Sequence, residues 1–413
     1  MSHPSGRRSL VAAALTVAVV ASACTAGGPI LANPTAAIPA PSPSPAGSPR
    51  PADPQPIVFP RDDGPHDRLT EWWYYTGHLR DRATGQRYGF EYVIFRAERG
   101  AFPVTWASHL ALTDEAHDRF AYAQRSEVGP QVDLGTTAGF SLAIDGLAPV
   151  ATGAVSTASA AAEQPSGPWT MSGANGIDSL HAAATPAEAA ATSMPGGAGL
   201  DLALRATKPP ALHGGDGFID FGPAGGSYYY SRTRMDASGT IDVDGRTLAV
   251  DGIAWFDHQW GDFIAVGGGG WDWFAVDLDD GTDLTLSLVR DATGGFPLVY
   301  GTLIRPDGST VDLPRDSFLV TPTASWTSPH TGAAYPAGWH LIVYGQHLEI
   351  DLRPTVADQE LDTRATTGVI YWEGSQVVRA TRNGAPVGGQ AYVELTGYAP
   401  AASPPSPTAT SGP

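Results

Sequence analysis

The 413-residue chain holds one cysteine, Cys24, and one lysine, Lys208, and only 16% of its residues are charged. With no second cysteine it forms no internal disulfide. Basic residues are scarce too, 24 against 42 acidic, for a net charge of −18. Such a surface repels phosphate backbones, so nucleic acid is excluded as a partner. Sustained helical periodicity is missing, and 49 glycines with 36 prolines exclude a helical bundle of this size. No Gly-x-Ser-x-Gly elbow and no His-Glu-x-x-His pair occurs. His340 and His347 lie near each other without a third ligand, and Gly267 to Gly270 precede a strand rather than opening a helix. No metal and no cofactor is therefore expected.

What is present begins with an export signal. Arg7 and Arg8 precede an apolar run from Leu10 to Ala21, followed by Ala21-Ser22-Ala23-Cys24. The run is short for a bilayer span and its flanks are those of a secretory leader, residues 1–24. Cys24 sits where a bacterial lipoprotein is cleaved and acylated, in a segment that resembles a lipobox. Two outcomes stand open: a lipid anchor on Cys24 holding the protein at a membrane, or nearby cleavage and a free exported protein. Residues 25–61 are rich in Pro, Ala and Ser and read as a semi-rigid tether, with a similar tail over 401–413.

The 42% hydrophobic content and the length leave room for two cores. Between them runs a series of short alternating or aromatic segments punctuated by turn dipeptides, Asp244-Gly245, Asp280-Gly281, Asp307-Gly308 and Asn383-Gly384. These are hairpin signals and predict an all-β fold. The Ala-rich stretch from Ala151 to Ala191 is broken by Gly, Pro and Ser and reads as a long connection. A faint repeat sets the domain boundary: Glu71-Trp72-Trp73-Tyr74-Tyr75 and Trp271-Asp272-Trp273-Phe274 each open a similar hairpin. The expected domains are 62–262 and 263–400, two antiparallel barrels in tandem.

Strand alternation sorts side chains into faces. Glu71, Trp73 and Tyr75 share one face of the first strand, with Trp72, Tyr74 and His78 on the other. Tyr228, Tyr230, Arg232 and Arg234 fall on one face of a later strand. In the segment from Ile253 to Trp260, Trp255, Asp257 and Gln259 alternate with Phe256, His258 and Trp260. Aromatic rings beside charged groups are what a lined cavity requires.

The segments Glu71-Trp72-Trp73-Tyr74-Tyr75-Thr76-Gly77-His78-Leu79, His109-Leu110-Ala111-Leu112-Thr113-Asp114, Tyr229-Tyr230-Ser231-Arg232-Thr233-Arg234-Met235 and Ala254-Trp255-Phe256-Asp257-His258-Gln259-Trp260-Gly261 resemble the carotenoid 1,2-hydratase family and its exported AttH-like relatives. So do Gly270-Trp271-Asp272-Trp273-Phe274, Tyr371-Trp372-Glu373-Gly374 and Tyr392-Val393-Glu394-Leu395-Thr396-Gly397-Tyr398. The resemblance implies two tandem lipocalin-like β-barrels. It also implies an apolar, isoprenoid-like ligand and, in the hydratases, addition of water to a terminal double bond of an acyclic carotenoid, with the family's catalytic aspartate falling on Asp257.

Hydrating an alkene takes a proton donor able to make a carbocation, surroundings that tolerate that cation, and a placed water. Asp257 is the expected general acid, its proton retained by an apolar setting. His258 is expected to orient or reprotonate it. Glu71, Trp73, Tyr228, Tyr230, Arg232 and Trp255 are expected to line the substrate cavity, the rings contributing on the order of 1–2 kcal/mol each to a dry cation. A purely structural reading stands beside this one: Asp257 and His258 pair to close a barrel end, with Arg232 or Arg234 as counter-ion, Glu71 pairs with arginine, and the tryptophans plug the barrel. Three functions remain open: a cofactor-independent lyase or isomerase, a carrier or sensor of apolar ligands at the cell envelope, and an envelope scaffold.

Overall fold

The computed structural model describes residues 52–399 except 147–166, 190–191, 195 and 264–267. Cys24, the leader, most of the tether and the tail over 401–413 lie outside the described residues. Twelve strands form the first sheet: β1 (Thr70–Asp81), β2 (Arg87–Ala97), β3 (Thr105–Asp114), β4 (Arg119–Val128), β5 (Phe140–Ile144), β6 (Trp169–Ala174), β7 (Ile177–Ala184), β8 (Ala198–Ala206), β9 (Ala211–Leu212), β10 (Phe218–Asp220), β11 (Gly226–Val243) and β12 (Arg246–Gly261). The second half carries β13 (Gly268–Leu278), β14 (Asp283–Asp291), β15 (Leu298–Ile304), β16 (Thr310–Pro314), β17 (Phe318–Pro322), β18 (Ser325–Thr327), β19 (Ala334–Pro336), β20 (Trp339–Val343), β21 (Leu348–Pro354), β22 (Glu360–Asp362), β23 (Ile370–Arg382), β24 (Ala385–Val387) and β25 (Gly389–Thr396). The small pair β18–β19 stands apart, and the other strands of this half form one sheet.

Each large sheet is antiparallel and rolls into a nearly closed barrel, so the chain is two lipocalin-like barrels in tandem. In the first, β1 lies between β2 and β12, and β12 pairs with β11; in the second, β13 lies between β14 and β25, and β25 pairs with β23. Among the described residues no helix is long and apolar enough to cross a membrane.

The turn dipeptides act as their chemistry requires. Asp244 and Gly245 between β11 and β12 have φ of 49° and 73°, and Asn383 and Gly384 between β23 and β24 have 51° and 79°. Successive left-handed residues match the twist of a two-residue hairpin. The same device, Asn175-Gly176, joins β6 to β7 inside the stretch expected to be a long connection. That expectation is corrected: residues 169–184 form a hairpin of the first barrel. Its ala- and ser-rich strands carry little intrinsic β-propensity, and burial of Trp169, Met171, Leu180 and Ala182 holds them in place.

Alternation fills the first barrel with Trp73, Trp106, Trp169, Tyr75 and Phe140, and the second with Phe274, Trp339 and Trp372. The end of the expected tether joins the first core as well, since Ile57 and Phe59 pack against it. A third apolar cluster lies between the barrels, where Tyr74, Val93 and Trp255 of the first meet Trp273, Ala275, Ile304 and Tyr392 of the second. The approach is close: a Cβ on Gly89 of β2 would come within 2.6 Å of the Tyr392 hydroxyl.

Candidate active site

The outward faces of β11 and β12 set the first half of the site. On β12, Trp255 and Asp257 point away from the first barrel's interior and toward the second barrel, and Asp257 is 3% exposed. Three neutral donors reach its carboxyl. Tyr229 donates to Oδ2 at 2.5 Å, while Trp255 Nε1 donates to Oδ1 at 2.7 Å and the Ser231 hydroxyl also donates to Oδ1. Burial pushes Asp257 up to about 6, and the Ser231, Tyr229 and Trp255 bonds keep it from rising further. Among the described residues no basic side chain pairs with it.

Behind these donors stand two relays. Trp273 Nε1, from the second barrel, donates to the Tyr229 oxygen at 3.1 Å. Ser231 lies 2.7 Å from His213 Nε2, and His213 Nδ1 lies 2.8 Å from Thr302. Burial lowers His213 to about 3, so the ring is neutral. Because Ser231 gives its proton to Asp257, Nε2 carries the hydrogen and Nδ1 accepts from Thr302, a tautomer assigned from these partners.

The second half of the site comes from β23 and β25, whose outward faces carry Tyr371, Glu373, Tyr392 and Glu394. Glu373 accepts from the Tyr74 hydroxyl at 2.7 Å and stands directly across the β23–β25 ladder from Glu394. Glu91 of β2 accepts from Tyr371 at 2.8 Å, and His109 Nδ1 lies 2.7 Å from the same hydroxyl. Burial raises Glu91 and Glu373 well above the usual carboxyl range, and their neighbouring acids add to the rise. Glu394 keeps part of its surface exposed, yet its carboxyl is enclosed and burial pushes it up to about 7. Oε2 of Glu91 and Oε2 of Glu373 have no hydrogen-bond partner among the described residues. Two buried carboxyls that hold their protons tightly, each with an oxygen lacking a partner among the described residues, are unusual in a packed interior.

Over residues 50–398 the chain matches the family model described as AttH-like. The chain belongs to the AttH-like family. An AttH protein from Nitrosomonas europaea, solved as a crystal structure, is 30% identical over 83% of this chain and 98% of its own, with a TM-score of 0.67. The crystal structure of kievitone hydratase from Nectria haematococca is 18% identical, covering 83% of this chain and 93% of its own with a TM-score of 0.57, a likeness of fold. No curated protein matches the chain.

In this AttH-like protein the residues expected to form one site divide between two places. Asp257 and Trp255 lie between the barrels; His258, Glu71, Trp73, Tyr228, Tyr230 and Arg232 lie on the inner side of the first barrel wall. His258 therefore does not orient Asp257. Its Nε2 lies 2.9 Å from Glu71 Oε1, because consecutive strand residues face opposite ways. Nor does Asp257 pair with arginine: Arg232 bonds Asp63 at 2.7 Å and Arg234 bonds Asp283 at 2.7 Å. Arg234 leaves the face of Tyr228, Tyr230 and Arg232 because β11 bulges between Arg232 and Met235, which shifts the alternation by one. Glu71 meets His66 and His258 rather than an arginine. Trp73 packs against Trp106 and Phe140 in the barrel filling. Tyr228 and Tyr230 hold the entering segment through Asp53 and Asp63, at 2.6 and 2.5 Å.

Tyr229, His213, Glu91, Glu373, Glu394 and Trp273 were not among the expected site residues. A signal existed for four of them, since Tyr229, Glu373, Glu394 and Trp273 sit in the aromatic segments that carry the family likeness. Nothing in the sequence brought those segments to Asp257.

Proposed function

We propose that the protein is a cofactor-independent hydratase-type enzyme acting on an apolar, isoprenoid-like alkene, with Asp257 as general acid. The observation that carries this is a buried carboxyl with a raised affinity for its proton, held by three neutral donors and opposed by no cation. Oδ1 accepts two of those bonds, so the proton belongs on Oδ2. Transfer of that proton to the less substituted carbon of the alkene uses the π electrons for the new C–H bond and leaves a tertiary carbocation on the other. Trp255, Trp273 and Tyr74, which pack edge-to-face in the cluster beside Asp257, are the rings nearest to it, and the newly ionised Asp257 opposes its charge. Water then forms the C–O bond and its surplus proton returns to Asp257, so the net change is addition of one water. Loss of a proton from a neighbouring carbon instead would give isomerisation. Glu91 and Glu373 can donate to a polar group of the substrate. The existence of a hydratase on this fold supports the reading as analogy.

We further propose that the protein is exported and held at the membrane by a lipid on Cys24, supported by the Arg7-Arg8 leader and the small residues before Cys24. A Cys24→Ala variant that still sediments with membranes would overturn this. The catalytic reading is tested by incubating the full chain with terminal-alkene isoprenoids in water labelled with oxygen-18. Expected is a product carrying one labelled hydroxyl, lost in Asp257→Asn. Equal labelling by wild type and variant would contradict the assignment.

A further inference from the structure

Inside the first barrel, on the opposite face of β12 from Asp257, a second cluster converges. His66 Nδ1 lies 2.7 Å and His258 Nε2 2.9 Å from the same oxygen, Oε1 of Glu71. The three atoms all lie within 4.8 Å of one another. Two imidazole nitrogens and one carboxylate oxygen form a ligand set that suits borderline divalent ions of the zinc class, and three protein ligands leave a fourth position open.

The groups behind these ligands are those a metal site needs. Glu71 Oε2 accepts the His66 backbone N–H at 2.9 Å, which leaves Oε1 for the two rings. His66 Nε2 faces Asp62 Oδ1 at 3.5 Å, and Asp62 is itself fixed by Arg61 and by the Val58 backbone N–H. His258 Nδ1 lies 3.4 Å from the Tyr230 hydroxyl, which donates to Asp63. An acceptor behind each ring places the hydrogen on the far nitrogen and turns the near lone pair toward the cluster. Stacking fixes both planes: His66 lies on Trp260 at 4.0 Å and 2°, His258 on Trp73 at 4.8 Å and 25°.

We propose that His66 Nδ1, Glu71 Oε1 and His258 Nε2 bind one divalent ion of the zinc class, which fastens the entering segment across the mouth of the first barrel. Tetrahedral ligands about 2.0–2.2 Å from an ion stand about 3.3–3.6 Å apart. The two nitrogen–oxygen separations therefore widen by under an ångström on binding. Entry is from the side of His66, which is 19% exposed while Glu71 and His258 are sealed. The site is separate from the chemistry proposed for Asp257 and stands or falls independently of it.

The test is titration of the untagged, chelator-stripped full chain with Co2+, followed by Zn2+. Expected are one equivalent of Co2+ with the visible absorption of a low-coordinate nitrogen–oxygen site, displacement by Zn2+, and an unfolding temperature that rises with Zn2+ concentration. His66→Ala removes the least buried ligand and should weaken Co2+ binding at least tenfold and abolish the thermal shift. Asp257→Asn should bind as wild type does. A folded wild-type chain that takes up no stoichiometric ion overturns the proposal. So does undiminished binding by His66→Ala, or loss of binding in Asp257→Asn, which would place the ion between the barrels.

Discussion

Asp257 and His258 are consecutive residues of β12, yet one carboxyl faces the second barrel through Tyr229, and the neighbouring imidazole faces the first barrel's interior through Glu71. The wall of one barrel thus separates two polar systems. Substitutions at these neighbours should have different consequences. Asp257→Asn keeps the shape but holds no transferable proton, and should lower turnover about 10²–10⁴-fold with the fold intact. His258→Gln should leave proton transfer in place and cost about 1–3 kcal/mol of stability, because Glu71 loses a buried partner. Parallel turnover and urea-unfolding measurements on the two variants check the division.

The Tyr229 hydroxyl favours the ionised form of Asp257 by donating to it. Tyr229→Phe should raise the affinity of Asp257 for its proton. Since the acid form is the active one, activity falls as pH rises through the value for Asp257, about 6 in the wild type. In Tyr229→Phe that fall should move to higher pH. A pH–rate profile of kcat/KM reads it, and an unmoved profile would deny the contact its role. Trp273→Phe should show a smaller change in the same profile, since Trp273 acts through the Tyr229 oxygen.

Burial raises Asp257 from 3.8 to about 6 and Glu394 from 4.5 to about 7. The folded state holds these protons more tightly than the unfolded state does. Their contribution is therefore fully present below about pH 4 and is lost as pH rises through 6 and 7. Two units at Asp257 correspond to about 3 kcal/mol. Asp257→Asn should gain on the wild type by roughly that amount between pH 4 and pH 8, measured by urea unfolding at the two values. A constant difference would contradict the burial of an ionisable carboxyl there.

Asp283 of the second barrel, fully buried, joins the barrels by accepting from Lys208 Nζ and Arg234 at 2.7 Å each and from Thr233 at 2.5 Å. Asp283→Ala leaves Lys208 with only the Gly281 carbonyl among the described residues and Arg234 with the Leu278 carbonyl and Asp277 at 3.9 Å, and should cost about 3 kcal/mol in chemical denaturation. Arg205→Ala removes a pair with Asp236 in which both side chains are largely exposed, and should change stability by less than about 1 kcal/mol.

The barrels were legible because glycine-bearing turns and alternation are local signals. Asp244-Gly245 fixes its hairpin wherever the rest of the chain goes. The β6–β7 hairpin carried the same turn device in Asn175-Gly176, but it lies in an Ala-rich run, and strands bearing Ser172, Ser179 and Ala183 have so little β-propensity that packing against the core was needed to reveal them. Within the site, alternation placed Trp255 with Asp257 and set His258 against them, but chose Tyr228 and Tyr230 over Tyr229. The choice assumed a cavity inside the first barrel, where the entering segment and the tryptophans already fill the space. The acids of β23 and β25 were written in aromatic segments more than 100 residues away. Their approach depends on how two outer barrel faces dock, through contacts such as Tyr74 with Glu373, and that is a tertiary fact with no local signature.

The protonation of Asp257 tests the central claim most directly. Infrared difference spectra between wild type and Asp257→Asn, taken across pH 3 to 9, isolate the carbonyl stretch of its neutral carboxyl from those of Glu91, Glu373 and Glu394. A band that persists at pH 5 and fades with a midpoint near 6 is the predicted result. A band already gone at pH 5, with the carboxyl titrating near the ordinary 3.8, would contradict a sheltered proton donor between the barrels.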